Sequence, residues 1–298
     1  MELKYQNVSW LNFANPDEKD LDFLKTELKI APSVIQQLLN PNKRPKIEEY
    51  ENYLFLAMHF PIFDSQNRQT LPTELDFIIA DGQLITIYQN TNPVLESFFK
   101  DCEKSTELQT LYFKNTGFLL FSILDKLVDS CLPMLDHIYE KIEEIEKHIF
   151  QGKESQMLKE IAILKRDIID FRRTIKPQRS VLETLARKDL RFFKENLEMI
   201  SQEVIGSEIR VWNILENHKE MIEAIEKTNE SLLSFQISRV MHALTYFSIL
   251  LFTLTFIASF FSMKAISPAH LGGALLPGGI MVLAVIIISA VFKWKKWI

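Results

Sequence analysis

Val240-Met241-His242-Ala243-Leu244-Thr245-Tyr246-Phe247-Ser248-Ile249-Leu250-Leu251-Phe252-Thr253-Leu254-Thr255-Phe256-Ile257-Ala258-Ser259-Phe260-Phe261-Ser262-Met263 contains no Asp, Glu, Lys or Arg. After Lys264 there is again none until Lys293. Between the two runs lies Ile266-Ser267-Pro268-Ala269-His270-Leu271-Gly272-Gly273, whose Pro and paired Gly oppose a continuous helix. Two apolar segments result, residues 243–261 and 275–292, each near the roughly 20 residues a helix needs to cross a hydrocarbon layer. A buried helical hairpin of a soluble protein would show the same runs. The closing Lys293-Trp294-Lys295-Lys296-Trp297, however, is an interfacial pattern, so both segments are read as transmembrane helices.

The first segment is not uniformly apolar. Ser238, Thr245, Ser248, Phe252, Thr255, Ser259 and Ser262 follow one another at spacings of seven, three and four, which is one face of a helix. Small and hydroxylated residues on such a stripe permit close helix packing. They equally suit a water-lined path, and an oligomer of these helices about an axis would supply both.

The rest of the 298 residues is acidic. All 39 Asp and Glu and 29 of the 34 Lys and Arg stand at or before Glu230, a balance of −10, while the remaining five basic residues give the last part +5. An acidic soluble part opposes nucleic acid as a partner and suits a domain that meets cations. Met1-Glu2-Leu3-Lys4-Tyr5-Gln6 lacks the basic and apolar pattern of a signal peptide, so the N-terminal part is expected in the cytosol. The Lys cluster after the second span puts the C-terminus on the same side, with a short external loop at 262–274. The expected location is the inner or plasma membrane, with both termini cytoplasmic. Cys102 and Cys131 form no metal motif, and both are expected as buried packing residues.

Residues 1–118 read as a small α/β domain. Leu21–Leu39 has helical spacing. Tyr53–Phe60 is an apolar run of strand length, and Leu75–Ala80 and Leu84–Tyr88 flank the hairpin signal Asp81-Gly82. Asn92-Pro93 opens a helix. No phosphate loop, nucleophile motif or metal-ligand cluster stands here, and an enzyme is not supported. Residues 119–242 read as long helices: Phe118–Phe150, about Ser155–Thr174, a segment after Pro177, and a fourth helix from near Leu197 that runs uninterrupted to Phe261. Its heptad-like apolar positions Ile205, Ile209, Trp212, Leu215, Ile222 and Ile225 call for partners along its length, and oligomerisation supplies them. His137, His148 and His218 stand singly among charged residues and read as surface positions.

These residues resemble the CorA family of magnesium transporters. Arg44-Pro45-Lys46-Ile47-Glu48-Glu49-Tyr50 is similar to its early signature, and Arg172-Arg173…Pro177-Gln178-Arg179…Leu182 to its middle one. Ser238–Thr245 is similar to the end of its stalk helix, Leu254–Ala258 to the run before its pore mouth, and Phe292–Ile298 to its basic tail. The resemblance implies an α+β cytosolic domain, long stalk helices and two C-terminal transmembrane helices in a funnel-shaped homo-pentamer. It also implies that the first membrane helix lines the pore and that Mg²⁺ or another divalent cation is both carried and sensed. The stripe then becomes a pore lining of Ser238, Met241, Thr245, Ser248, Phe252, Thr255 and Ser259. Lys293, Lys295 and Lys296 become the basic cytosolic tail (293–298). Membrane lipid, metal ion and further copies of the chain are the implied partners.

At the pore mouth the sequence departs from the family. The family carries Gly-Met-Asn, usually after Tyr; here Phe261, Ser262, Met263 and Lys264 occupy those places. The family's pore-facing Asn at the cytosolic end falls on Ser238. Its acidic inter-subunit Mg²⁺ residue early in the stalk falls on Glu203. Alternatives that follow from Lys264 are a transporter of another ion on the same fold, or a regulatory paralogue that does not conduct.

Overall fold

Strand β4 (Leu54–Asp64) pairs antiparallel with β5 (Gln69–Ala80), from Leu54 opposite Ile79 to Asp64 opposite Gln69. The computed structural model describes residues 1–40, 44–64, 69–187, 197–262 and 275–295. Asp81-Gly82 turns β5 into β6 (Gln83–Tyr88), with Ala80 paired to Gln83. Gly82 has φ +73°, and a Cβ there would meet the Asn7 carbonyl oxygen at 2.7 Å, so only glycine serves.

The sheet has three further strands that hydropathy did not single out: β1 (Glu2–Tyr5), β2 (Val8–Ala14) and β3 (Lys46–Glu49). The order is β1-β2-β6-β5-β4-β3, with β2 and β6 parallel and the other neighbours antiparallel. Alternation along β2 sends Trp10 to one face and Leu11 to the other. Leu11 joins a core of Leu24, Val34, Leu38, Phe55, Ile78 and Ile85 beneath α1 (Glu18–Thr26) and α2 (Pro32–Leu39). Trp10 packs against Phe98 and Phe99 of α3 (Pro93–Lys104), and its indole N–H donates to Thr86 Oγ1 at 3.0 Å. Helices α4 (Thr106–Tyr112) and α5 (Thr116–Asp129) complete that layer.

Two expected helices are each divided. Leu21–Leu39 breaks because Lys29 takes φ +53° and Pro32 holds Ala31 extended. Phe118–Phe150 breaks at Ser130, where α5 gives way to α6 (Cys131–Phe150); Pro133 sits in the first turn of α6, where its missing N–H is not needed. Gly152, at φ +84°, reverses the chain into α7 (Glu154–Ile175), which lies against α6, β4 and β5. Helix α8 (Gln178–Arg187) follows Pro177. The buried side-chain amide of Gln178 donates to the His59 carbonyl and ties α8 to β4.

Helix α9 (Glu198–Ser262) is 65 residues long and passes Gly206 without a break, and α10 (Leu275–Trp294) is its apolar successor. The chain divides into two units, 1–225 and 226–298. In the first, α9 buries Val204, Val211, Leu215, Ile222 and Ile225, with Ser207, Glu208 and His218 between them. Ile205, Ile209 and Trp212 are half-buried flanks of that seam rather than its centre. Arg172 of α7 meets them there: it bonds Glu216, and its guanidinium stands 5.1 Å from the Trp212 ring. His218 corrects its surface reading, for it is 5% exposed. A histidine between charged neighbours in sequence still falls inward when the helical register returns it to the seam. Cys102 and Cys131 are buried and free, and burial pushes their thiols up to about 11 and about 12, which keeps them inert.

Candidate functional site: a hydroxyl stripe on the long helix

In the second unit, α10 packs on one side of α9. Tyr246 and Ser289 share a hydrogen bond of 2.9 Å, and the Tyr246 and Phe292 rings meet edge-on. Tyr246, Leu250, Thr253, Ile257 and Phe261 of α9 are half-buried, at spacings of three and four. Apart from these flanks the apolar stretch is bare: none of its most apolar window is buried, and only 6% of that of α10. The core helices of a soluble protein would be mostly buried, so these two are long, apolar and uncovered in the manner of membrane spans.

The stripe lies on the far side. At 100° per residue its mean direction stands roughly 150° from the side that meets α10. Ser238, Met241, Ser248, Phe252, Thr255 and Ser259 are exposed, and Thr245 is half-buried at the stripe's edge. The hydroxyls of Thr245, Ser248 and Thr255 each donate to the carbonyl four residues back, at 2.8 Å. Their protons are thereby spent on the backbone, while the oxygen lone pairs still face outward as acceptors. These three outward acceptors suit the outward-pointing hydrogens of a hydrated cation.

At the end of α9, Phe261 turns toward the α10 side and Ser262 is exposed. Met263, Lys264 and Lys296 lie outside the described residues. Lys293 is exposed in the last turn of α10, where the helix dipole favours a cation, and Lys295 is exposed just beyond it.

Glu203 is exposed on α9 in the first unit, near Asp125 of α5. Burial raises the Asp125 carboxyl above its usual range, and the charges of Asp129 and Glu203 raise it further; Ser207 offsets this with a hydrogen bond. Sequence reasoning reached Glu203 alone. The signal for its neighbours was the Asp125–Asp129 spacing of four on one helix face, but nothing local connects α5 to α9. Among the described residues no group of three or more His, Cys, Asp or Glu is arranged to hold a metal ion.

The family model of the CorA-like Mg²⁺ transporter protein matches residues 5–295. The chain belongs to that family. It is 24% identical to the cobalt/magnesium transport protein CorA of Thermotoga maritima over 97% of this chain and 83% of that one. It is 19% identical to the zinc transport protein ZntB of Pectobacterium atrosepticum over 96% of this chain and 86% of that one. The complete structure of the CorA magnesium transporter from Methanocaldococcus jannaschii shares its fold, with a TM-score of 0.85 at 20% identity over 99% of this chain and 94% of that one. This CorA-family chain is therefore built as a soluble α/β domain, long helices and two C-terminal apolar helices. Its family is one of transporters, not of enzymes.

Proposed function

We propose that this chain forms a homo-pentameric channel in the inner or plasma membrane that passes Mg²⁺ or a related divalent cation down its electrochemical gradient. Five copies of α9 surround the axis and α10 stands outside them. Both termini face the cytoplasm, and the basic tail meets the lipid headgroups. The observation that carries this reading is the stripe: outward oxygen acceptors on the face of α9 turned away from α10. Mg²⁺ demands oxygen and sheds its water reluctantly, so a wall of hydroxyl acceptors can hold it with its hydration shell. The domain boundaries follow the same scheme: 1–118, 119–242, 243–261, the external 262–274, 275–292 and 293–298. Glu203 and Asp125 form the acidic place where Mg²⁺ restrains the closed state between crowded acidic domains.

The test is ion flux into liposomes that hold the purified protein, with growth rescue of a magnesium-uptake mutant beside it. Saturable Mg²⁺ flux and rescue are expected. Liposomes that pass neither Mg²⁺ nor Co²⁺, Mn²⁺ or Zn²⁺ would overturn the channel reading and leave a non-conducting paralogue.

A further inference from the structure

Between helices α6 and α7, beside Phe63 near the end of β4, lies a cleft of about 590 Å³. Sites for small molecules are of that size, roughly 300–1,000 Å³. Ile138 and Ile145 of α6 and Leu164 of α7 give it a buried apolar floor. Half-buried Met134, Met157 and Ile163 continue the apolar surface toward solvent. The lining follows α6 from Pro133 to His148, ~22 Å at ~1.5 Å per residue, which is enough to lay down one extended alkyl chain.

The polar groups of the cleft are unevenly engaged. His137, Lys141 and His148 follow one another at spacings of four and seven on one side of α6, and all three enter the lining. Lys141 is half-buried, and among the described residues its ammonium has no hydrogen bond or ion pair. The same holds for the half-buried ring of His148. His137 stands 3.8 Å from Glu140 and meets the Phe63 ring edge-on. The acids of the lining are provided for. Asp167 accepts the Thr70 backbone N–H, Glu160 has an interaction of its own, and Glu144 is exposed to water. The cleft therefore sets an unanswered positive charge beside an apolar floor. Long basic side chains lie along apolar surface and keep their heads in water, so an anion reaches Lys141 from solvent.

We propose that the cleft between α6 and α7 binds a single-chain carboxylate amphiphile, of the fatty-acid class, with its chain on Ile138, Ile145 and Leu164 and its head at Lys141. The two ends of such a ligand match the two characters of the cleft. Its chain takes the apolar floor out of water. Its carboxylate accepts from the Lys141 ammonium, and a bond between charged groups is stronger than one between neutral groups. The imidazoles of His137 and His148 flank that head with further polar groups. The unbranched side chains of Met134 and Met157 adapt to the length of the tail. An alkyl alcohol brings the chain without the charge, and an alkyl ammonium sets like charge against Lys141. Lys141 thus decides which amphiphile is held.

The probe is dodecanoate with a diazirine at the chain end, added to the full-length protein after its detergent has been exchanged for an amphipathic polymer, so that no free alkyl chain competes. Photolysis fixes the bound chain, and peptide mapping locates it. Adducts are expected on 133–148 and 157–167. An excess of plain dodecanoate should remove them, while the same excess of dodecanol or dodecyltrimethylammonium should leave most in place. Lys141→Gln should lower the yield on these stretches about tenfold, the scale of one lost charge-assisted contact, and Lys141→Arg should keep it. Ile163→Trp, which narrows the cleft and leaves its charge alone, should lower the yield as well. Adducts confined to 243–292, or equal yields in Lys141→Gln and the unaltered chain, would overturn the proposal. Competition by dodecanol or dodecyltrimethylammonium as strong as that by dodecanoate would overturn it too, since the cleft would then take any alkyl chain. The competition uses only the unaltered protein, so it decides alone if a variant does not assemble. No part of the test depends on ion conduction.

Discussion

The Tyr246 hydroxyl lies 2.9 Å from that of Ser289, joining the two apolar helices by a polar bond between otherwise apolar surfaces. Within lipid neither hydroxyl has water to return to, so the pair fixes both the separation of the helices and their rotation about their axes. That rotation is what turns the hydroxyl stripe away from α10.

Tyr246→Phe should therefore weaken the helix pair by about 0.6 kcal/mol, the usual size of such bonds between membrane helices. Ser289→Ala should do the same. Because both remove one bond, the double change should cost no more than either alone. Thermal unfolding in detergent measures all three, and additive losses would mean that the two hydroxyls act separately.

The stripe and its opposite side differ in their expected effect on flux. Ser248→Val with Thr255→Val removes two outward acceptors per subunit and should lower Mg²⁺ flux by about tenfold, the scale of one lost charge-assisted contact. Thr253 also donates to the carbonyl four residues back, at 2.8 Å, but stands on the half-buried side. Thr253→Val should leave flux within about twofold, because packing rather than hydration is at stake there. Similar losses in both variants would show that the hydroxyls matter for packing alone.

His218 makes stability depend on pH. Burial lowers its pKa below the usual value, and Asp136 offsets part of that. As pH falls through 6.5 the unfolded chain takes up a proton that the folded chain refuses, so stability is lost from there down to the lowered folded value. His218→Gln should flatten the fall in melting temperature between pH 6.5 and 5. Glu208 acts with the opposite sign: burial, with Glu183 adding and Arg179 opposing, pushes its carboxyl up to about 7, so stability falls as pH rises from 4.5 toward 7. Glu208→Gln should raise the melting temperature at pH 8 and leave it unchanged at pH 4. A parallel shift at both pH values would show that charge is not the cause.

The resemblance sets Lys264 where the family has Asn, and in the proposed pentamer five copies around an axis would set five ammonium groups at the channel mouth. At ~10 Å from a divalent ion on the axis, and at the dielectric constant of water, the ring would disfavour the ion by ~4 kcal/mol. Lys264→Asn with Ser262→Gly should then raise Mg²⁺ flux at least tenfold. If flux is substantial in the unaltered protein and unchanged in the variant, the lysines reach outward to the headgroups instead.

Hydropathy along residues 240–292 suffices to place two membrane-type helices, because length and charge exclusion are local properties that no packing partner alters. The turn at Asp81-Gly82, the cap at Asn92 and the stripe from Ser238 to Ser259 were legible for the same reason, since each depends on spacings of a few residues. What long-range pairing decides was not legible. Strand β2 gains its place only by joining β6, more than 70 residues away, and β1 enters the sheet through β2. His218 is buried because α9 folds against other helices, whatever its neighbours in sequence. Asp76 is buried because the register of β4 and β5 sets it opposite Ala57, and α7 closes over the β5 strand that carries it. Desolvation and the mutual repulsion of charges arise from this tertiary arrangement, and no local pattern in the chain encodes them.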